Sequence, residues 1–391
     1  MTWDLSNFPS DAHPKVQSFG PTATTTEVQT ITSITAATDV IAVTNHGLAD
    51  GDVIEFTRLD GGATGLTVGL KYYLVSTVAN TSFKVSALYG GTAIDITADG
   101  TGTMQFRTFK QGWRPWYKPP GCVMVSFYVI GGGGAGGGAR GNTAGAGKGG
   151  GSGGGSGGLS RVTIPAVLLP DVLWVHVPAP AAGGAGGDTA DGTAGDPGLT
   201  SIVSVQPDAA TQYLVCQARG GRGGGGGTTT ISTGGAGGVV ATTAECPISL
   251  LGTSLFLAGV AGATGASGAS NGSGGDVSQS TGSQIYAGGG GGSSTTSTSR
   301  GGSEAALTNT PFVLLHPTNQ NNTPGGDGAR FGAYPKWYGA SGGGANNTTT
   351  GQNGGNGSVH GAGGGGGGGG VTIGGRGGDG GPGGVVIHAW P

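Results

Sequence analysis

Cys122-Val123-Met124-Val125-Ser126-Phe127-Tyr128-Val129-Ile130-Gly131-Gly132-Gly133-Gly134-Ala135-Gly136-Gly137-Gly138 decides how the chain is read. A run of high β propensity passes, with no turn signal between, into a block where alanine alone interrupts glycine. The same alternation recurs. Leu173-Trp174-Val175-His176-Val177 precedes the glycine block 183–198, and Gln212-Tyr213-Leu214-Val215-Cys216 precedes 219–238. Ser254-Leu255-Phe256-Leu257-Ala258 precedes 259–275, Gln284-Ile285-Tyr286-Ala287 precedes 288–292, and Val371-Thr372-Ile373 precedes 374–384. A last apolar run, Val385-Val386-Ile387-His388-Ala389-Trp390, follows. The spacing is irregular, so no fixed-period solenoid is expected.

Glycine is costly to order, at about 1–2 kcal/mol of backbone entropy per residue. A glycine-rich chain therefore stays mobile or gains order through main-chain hydrogen bonds. The interrupting strands, and the scarcity of Glu, Lys and Pro in the blocks, favour order. Collagen needs glycine at every third position with abundant proline, a register held only by Gly259, Gly262, Gly265 and Gly268 before Asn271 breaks it. The remaining ordered form is a bundle of polyglycine-II helices. These have three residues per turn and no internal hydrogen bonds, and all their N–H and C=O groups point outward to neighbours. Only glycine fits faces turned inward; Ala, Ser, Thr or Asn fit faces turned outward.

Of the 94 glycines in 391 residues, 12 lie before residue 113, so a domain boundary is expected near Gly112. Residues 1–28, with Pro9, Pro14 and Pro21, read as an extended N-terminal arm. It either docks onto a neighbouring subunit or is a frayed terminus. Residues 29–112 read as an all-β domain, barrel-like or a sandwich. The strands expected there are Thr30–Ile34, Asp39–Val43, Asp52–Phe56, Tyr72–Ser76 and Ser82–Ser86, with turns such as Asn45-His46-Gly47 and Asp50-Gly51. His46 reads as a turn residue whose ring bonds the backbone. Residues 113–130 form an aromatic and proline-rich junction followed by a strand, with Trp113, Trp116 and Tyr117 as candidate junction residues. Residues 131–391 form the glycine-rich domain. The expected fold class is mainly β: a small N-terminal β-sandwich or barrel-like domain, plus short strands with packed polyglycine-II helices.

Charge and motifs narrow the function. A net charge of −3 without a basic block speaks against nucleic acid, and no apolar run approaches a membrane span. No secretory leader is read at the N-terminus, so synthesis in the cytoplasm of a producing cell is expected. Cys122, Cys216 and Cys246 show no CxxC and read as buried free thiols. The histidines (His13, His46, His176, His316, His360, His388) form no HxH or HxxxH, and Asp188, Asp191 and Asp196 lack calcium-loop spacing. The glycines of 131–138 precede no helix signal, and Lys148 is not followed by Ser or Thr, so neither phosphate-binding motif is met. No catalytic, cofactor-binding or metal residue is expected. A depolymerising tailspike would want paired carboxylates, and the chain has four glutamates. An ice-binding protein would want flat, regular Thr or Ala faces. Ala329-Arg330-Phe331-Gly332-Ala333-Tyr334-Pro335-Lys336-Trp337-Tyr338 stands above background. Arg330, Phe331, Tyr334, Lys336, Trp337 and Tyr338 are candidate receptor contacts, or alternatively a small cap on the glycine stack.

Two resemblances bear on this reading. Thr44-Asn45-His46-Gly47-Leu48, Gly51-Asp52-Val53-Ile54, Gly69-Leu70-Lys71-Tyr72-Tyr73-Leu74-Val75 and Thr81-Ser82-Phe83-Lys84-Val85-Ser86 resemble, in order, a β module of phage tail and fibre proteins. Trp116-Tyr117-Lys118-Pro119-Pro120-Gly121, the strand after it and the run 131–138 resemble the entry of the phage-tail glycine-rich domain; Gly378–Ile387 is similar to its closing strand. The resemblance implies a minor tail protein of a bacteriophage, at a tail tip or fibre, contributing to host-surface recognition, with residues 29–112 as its virion-attachment domain. Its implied partners are other tail or baseplate proteins, further copies of itself (a trimer first) and a host glycan or protein. A capsid decoration or head-fibre protein is the alternative.

Overall fold

A computed structural model describes residues 15–21, 28–60, 63–100, 102–109, 112–229, 246, 252–269, 271–277, 287–294, 297–302, 323–325, 327, 342–346 and 349–391. Its strands are β1 (Lys15–Phe19), β2 (Val28–Thr30), β3 (Ser33–Thr35), β4 (Val40–Ala42), β5 (Val53–Leu59), β6 (Lys71–Val78), β7 (Ser82–Ser86), β8 (Met104–Thr108) and β9 (Trp113–Tyr117). They continue with β10 (Met124–Ile130), β11 (Gly141–Asn142), β12 (Leu159–Pro165), β13 (Val172–His176), β14 (Ser201–Ser204), β15 (Leu214–Ala218), β16 (Thr253–Leu257), β17 (Gly370–Val371) and β18 (Gly384–Trp390). The chain is mainly β, as its composition and patterning predict. It divides into two compact units, one of residues 22–113 with 208–210, the other of 1–21, 114–207 and 211–391.

In the smaller unit the strands run in the order β2-β8-β5-β6-β7-β4-β3, with every pair antiparallel. β2 and β3 stand at opposite edges, yet only Ile31 and Thr32 separate them. Ile31 donates to Met104 O (2.9 Å) on one side, and Thr32 to Ala42 O (2.8 Å) on the other. One bent segment thus serves both edges and curls the sheet into a barrel-like form, although β2 and β3 do not pair with each other. Ile41, Ile54, Phe56, Leu74, Phe83 and Phe106 fill the interior with no exposure. β8 was not among the expected strands. It places Arg107 opposite Glu55, and the guanidinium meets the carboxylate at 3.2 Å with both side chains buried. His46 is the expected turn residue: its Nδ1 accepts the Leu48 N–H (3.0 Å), leaving Nε2 facing Val78 O at 3.2 Å. Asn45 and Gly47 on either side take the left-handed conformation this tight turn requires.

The larger unit is rooted in two facing sheets, β1-β18-β10-β12-β16 and β15-β14-β13-β9. Val125, Phe127 and Val129 of β10, Val162 and Ile164 of β12, and Val385 and Ile387 of β18 point into one core. Leu173, Val175, Val203 and Val215 meet them from the second sheet. Alternation does this: each strand turns every second residue inward. Residues 15–19, inside the segment read as an arm, pair antiparallel with β18 of the same chain, and Phe19 enters this core.

The strands then run on into the glycine blocks without losing register. Ile130 stands opposite Leu159, and the next N–H, of Gly131, donates to Gly158 (3.0 Å). Ile130 also stands opposite Gly384, and Gly133 donates to Gly381 (2.8 Å). Leu159 stands opposite Leu257, and Ser156 donates to Val260 (2.9 Å). The sheets therefore set the alignment of everything built on them.

Along 131–141 the donors rotate in threes. Gly131, Gly134, Gly137 and Arg140 donate to 158, 155, 152 and 149; Gly132, Ala135, Gly138 and Gly141 donate to 199, 196, 193 and 190; Gly133, Gly136 and Ala139 donate to 381, 378 and 375. Its carbonyls accept in threes from 221, 224 and 227, from 364, 367 and 370, and from 184 and 187. This segment is a three-fold helix with six hydrogen-bonded neighbours, the arrangement expected of polyglycine II. Residues 361–370 occupy a second such central position.

Lack of room, rather than backbone dihedral, is what demands glycine here. Apart from Gly361, at a reversal, the glycines of these helices avoid positive φ. A Cβ on Gly134 or Gly137 would come within 3.0 Å of the Arg222 or Gly225 carbonyl.

The outer helix 374–383 shows how an edge is finished. Two of its donor rows face helices 181–187 and 361–368. In the third row Arg376 and Asp379 donate their N–H to the Asn353 and Asn356 Oδ1 (2.9 and 2.8 Å), and the next position is Pro382, which has no N–H. Side-chain carbonyls and a proline stand in for a missing neighbour.

Candidate functional site

Helix 131–141 extends about 30 Å from β10, at roughly 3.1 Å per residue. Four reversals meet at its far end: residues 142–148, 188–190, 349–350 and 371–373. Thr372 N–H donates to Asn142 O (3.1 Å), Thr189 N–H to Thr372 O (2.6 Å) and Val371 N–H to Thr349 O (2.7 Å). Gly351 N–H closes the set onto Ile373 O (3.0 Å), and β11 and β17 pair in parallel beneath it. Each loop is thus held by another as well as by its own helices.

Thr189 and Thr372 carry φ of 47° and 63°. The left-handed region is unfavourable for a β-branched residue, at about 1–3 kcal/mol each, and is kept only where the surroundings impose it. The Thr189 to Thr372 hydrogen bond joins the two strained residues directly. Thr143, Asp188, Thr189, Thr349, Thr350 and Thr372 are exposed, and Ile373 is 43% exposed. Asp191 pairs with Arg140 at the rim. Below the loops Lys148 is fully buried and donates to Ala146 O (3.0 Å); burial lowers its pKa from the ordinary lysine value. Among the described residues the surface offers hydroxyls, the exposed Asp188 carboxylate and an aliphatic side chain on a hydrogen-bonded base. That chemistry suits non-covalent contact.

Sequence reading did not single out these threonines. They are a few among many Ser, Thr and Asn inserts, and only the folding back of the helices shows which reach one end. Arg330, Phe331, Tyr334, Lys336, Trp337 and Tyr338 lie outside the described residues. Described residues on either side are bonded: Asp327 Oδ1 accepts the Asn356 N–H (2.7 Å), and Gly342 donates to Gly302 O (2.9 Å). Of the aromatics read as a junction, Trp116 lies in the two-sheet core, edge-on to Phe127 with centroids 6.3 Å apart. Tyr117, the next residue, is exposed, and Trp113 donates its indole N–H to Phe109 O. Among the described residues no cluster of three His, Cys, Asp or Glu is placed for a metal ion, and no helix is long and apolar enough to cross a membrane.

Short strands continuing in register into a hydrogen-bonded glycine lattice, with loops gathered at its end, define a glycine-rich β protein. The chain belongs to the glycine-rich domain family, whose profile matches residues 108–343. No curated protein matches it.

Proposed function

We propose that the chain is a non-enzymatic structural component of a bacteriophage particle, at the tail tip or in a tail fibre, that presents the loops at 142–148, 188–190, 349–350 and 371–373 to the host surface. The observation that carries this is a lattice with six-neighbour helices ending in mutually bonded loops with two strained threonines. A rigid base lowers the entropy lost on contact, because the loops are ordered before they bind. Several copies per particle, a trimer first, would turn weak single contacts into avidity. The barrel of residues 22–113 is the part we assign to attachment within the virion, against other tail or baseplate proteins. The ligand is a host glycan or surface protein, with neither nucleic acid nor membrane insertion involved. The sequence resemblance to phage tail proteins supports the same reading.

The test is adsorption of particles carrying Thr143→Arg and Ile373→Glu, two exposed changes at the lattice end. Adsorption is expected to slow about tenfold, equivalent to about 1.4 kcal/mol, with melting unchanged. Normal adsorption of both variants would remove the tip from the contact surface. Trp337→Ala with Tyr334→Ala, measured alongside, tests the aromatic segment in its place.

A further inference from the structure

Cys216 lies in β15, and Cys246 is thirty residues further on. Both side chains are fully buried in the same apolar core. Cys246 Sγ accepts the N–H of Gln217, the residue after Cys216, at 3.3 Å, and lies 3.8 Å from Gln217 O. The Cys246 thiol beside it, together with burial, raises the Cys216 thiol well above its ordinary value. The third cysteine, Cys122, is half-buried against the margin of the same core, with its Sγ on Met124 O (3.2 Å). Among the described residues no third His, Cys, Asp or Glu joins the two thiols to hold a metal ion, and burial that favours the neutral thiol does not suit a standing nucleophile. The pair suits a cross-link.

We propose that Cys216 and Cys246 form a disulfide when the folded protein passes from a reducing cytoplasm into oxidising surroundings, tying β15 to Cys246. The oxidant is a low-molecular-weight disulfide of the glutathione type. One cysteine thiolate attacks it, releasing one glutathione thiol and leaving a mixed disulfide. The second cysteine thiolate then attacks the protein-bound sulfur and releases the second. The protein loses two protons and two electrons, and one glutathione disulfide becomes two thiols. Burial makes the native state slow to react, so the rate follows transient exposure of the two thiols. Once formed, the bond removes conformational freedom from the unfolded chain. The inference is independent of the proposed function, because any transfer from reducing to oxidising surroundings would drive it.

The experiment uses the full chain, purified with reductant, then incubated with oxidised glutathione at rising urea concentrations below global unfolding. Intact mass should fall by two hydrogens. Peptide mapping should join Cys216 to Cys246, and thiols counted after denaturation should fall from three to one. Melting should rise by about 5 °C or more. Cys122→Ser should keep the link and Cys246→Ser should abolish it. If Cys216 becomes alkylatable at some urea concentration and oxidation there yields only glutathione adducts, or links through Cys122, the proposal is wrong.

Discussion

Replacing Gly134 by valine is expected to destabilise the glycine-rich unit by about 3–6 kcal/mol, lowering its melting temperature by about 10 °C or more. A Cβ at this position meets the Arg222 carbonyl inside 3.0 Å, and that carbonyl belongs to backbone bound on several sides. Relief requires helix 219–228 to move away from helix 131–141. The rows from Gly221, Gly224 and Gly227 onto 132, 135 and 138 would then stretch together. Each buried N–H or C=O left without a partner costs about 1–3 kcal/mol. Gly20→Ala is the control: nothing lies within 4 Å of a Cβ there, and its φ is not positive. It should change stability by no more than about 0.5 kcal/mol. Calorimetry of both variants decides. A Gly134→Val protein that melts like the parent would mean the helices are not in contact.

The second large effect is expected in the barrel. Arg107→Ala should cost about 3–5 kcal/mol, because it leaves the buried Glu55 carboxylate without the guanidinium 3.2 Å away. The side chain also lies over the Phe109 ring at 4.3 Å, so packing is lost as well as charge. Removing both charges together, as Glu55→Gln with Arg107→Met, should restore most of the loss. Desolvating an ion pair offsets much of its attraction, so the pair gains little over a well-packed neutral one. Chemical denaturation of the three proteins gives the comparison. Equal losses in the single and double variants would show that the charges are not coupled.

Local chemistry made much of this fold legible. The passage from Ile130 into Gly131, and the three-residue turn of polyglycine II, led from composition to a lattice that the hydrogen bonds of 131–141 display row by row. The spacing of Arg376, Asp379 and Pro382 also carries a readable signal, since residues three apart share a face. Long-range pairings were not legible. Lys15–Phe19 joins β18 across almost the whole chain, with a burial pattern in which only Phe19 is covered, too weak a periodicity to mark a strand. Residues 1–28 therefore read as an arm, although 15–19 is an edge strand and the sequence 22–113 interrupts that of the larger unit. Trp116 read as a junction residue because its prolines and neighbouring aromatics drew attention, while the alternation that turns Trp116 inward and Tyr117 outward is only five residues long. The threonines at the lattice end and the Cys216–Cys246 contact depend on how antiparallel helices and strands return, which no local window contains.

Amide hydrogen exchange resolved by residue tests the lattice most directly. The N–H groups of 131–141 and 361–370 lie in helices surrounded by bonded neighbours, so they should exchange as slowly as those of β10 and β18, while Ala144 and Gly145 in the exposed reversal exchange at once. Complete exchange of 131–141 within seconds, with β10 still protected, would mean that the glycine blocks are a tether and that no rigid base holds the loops.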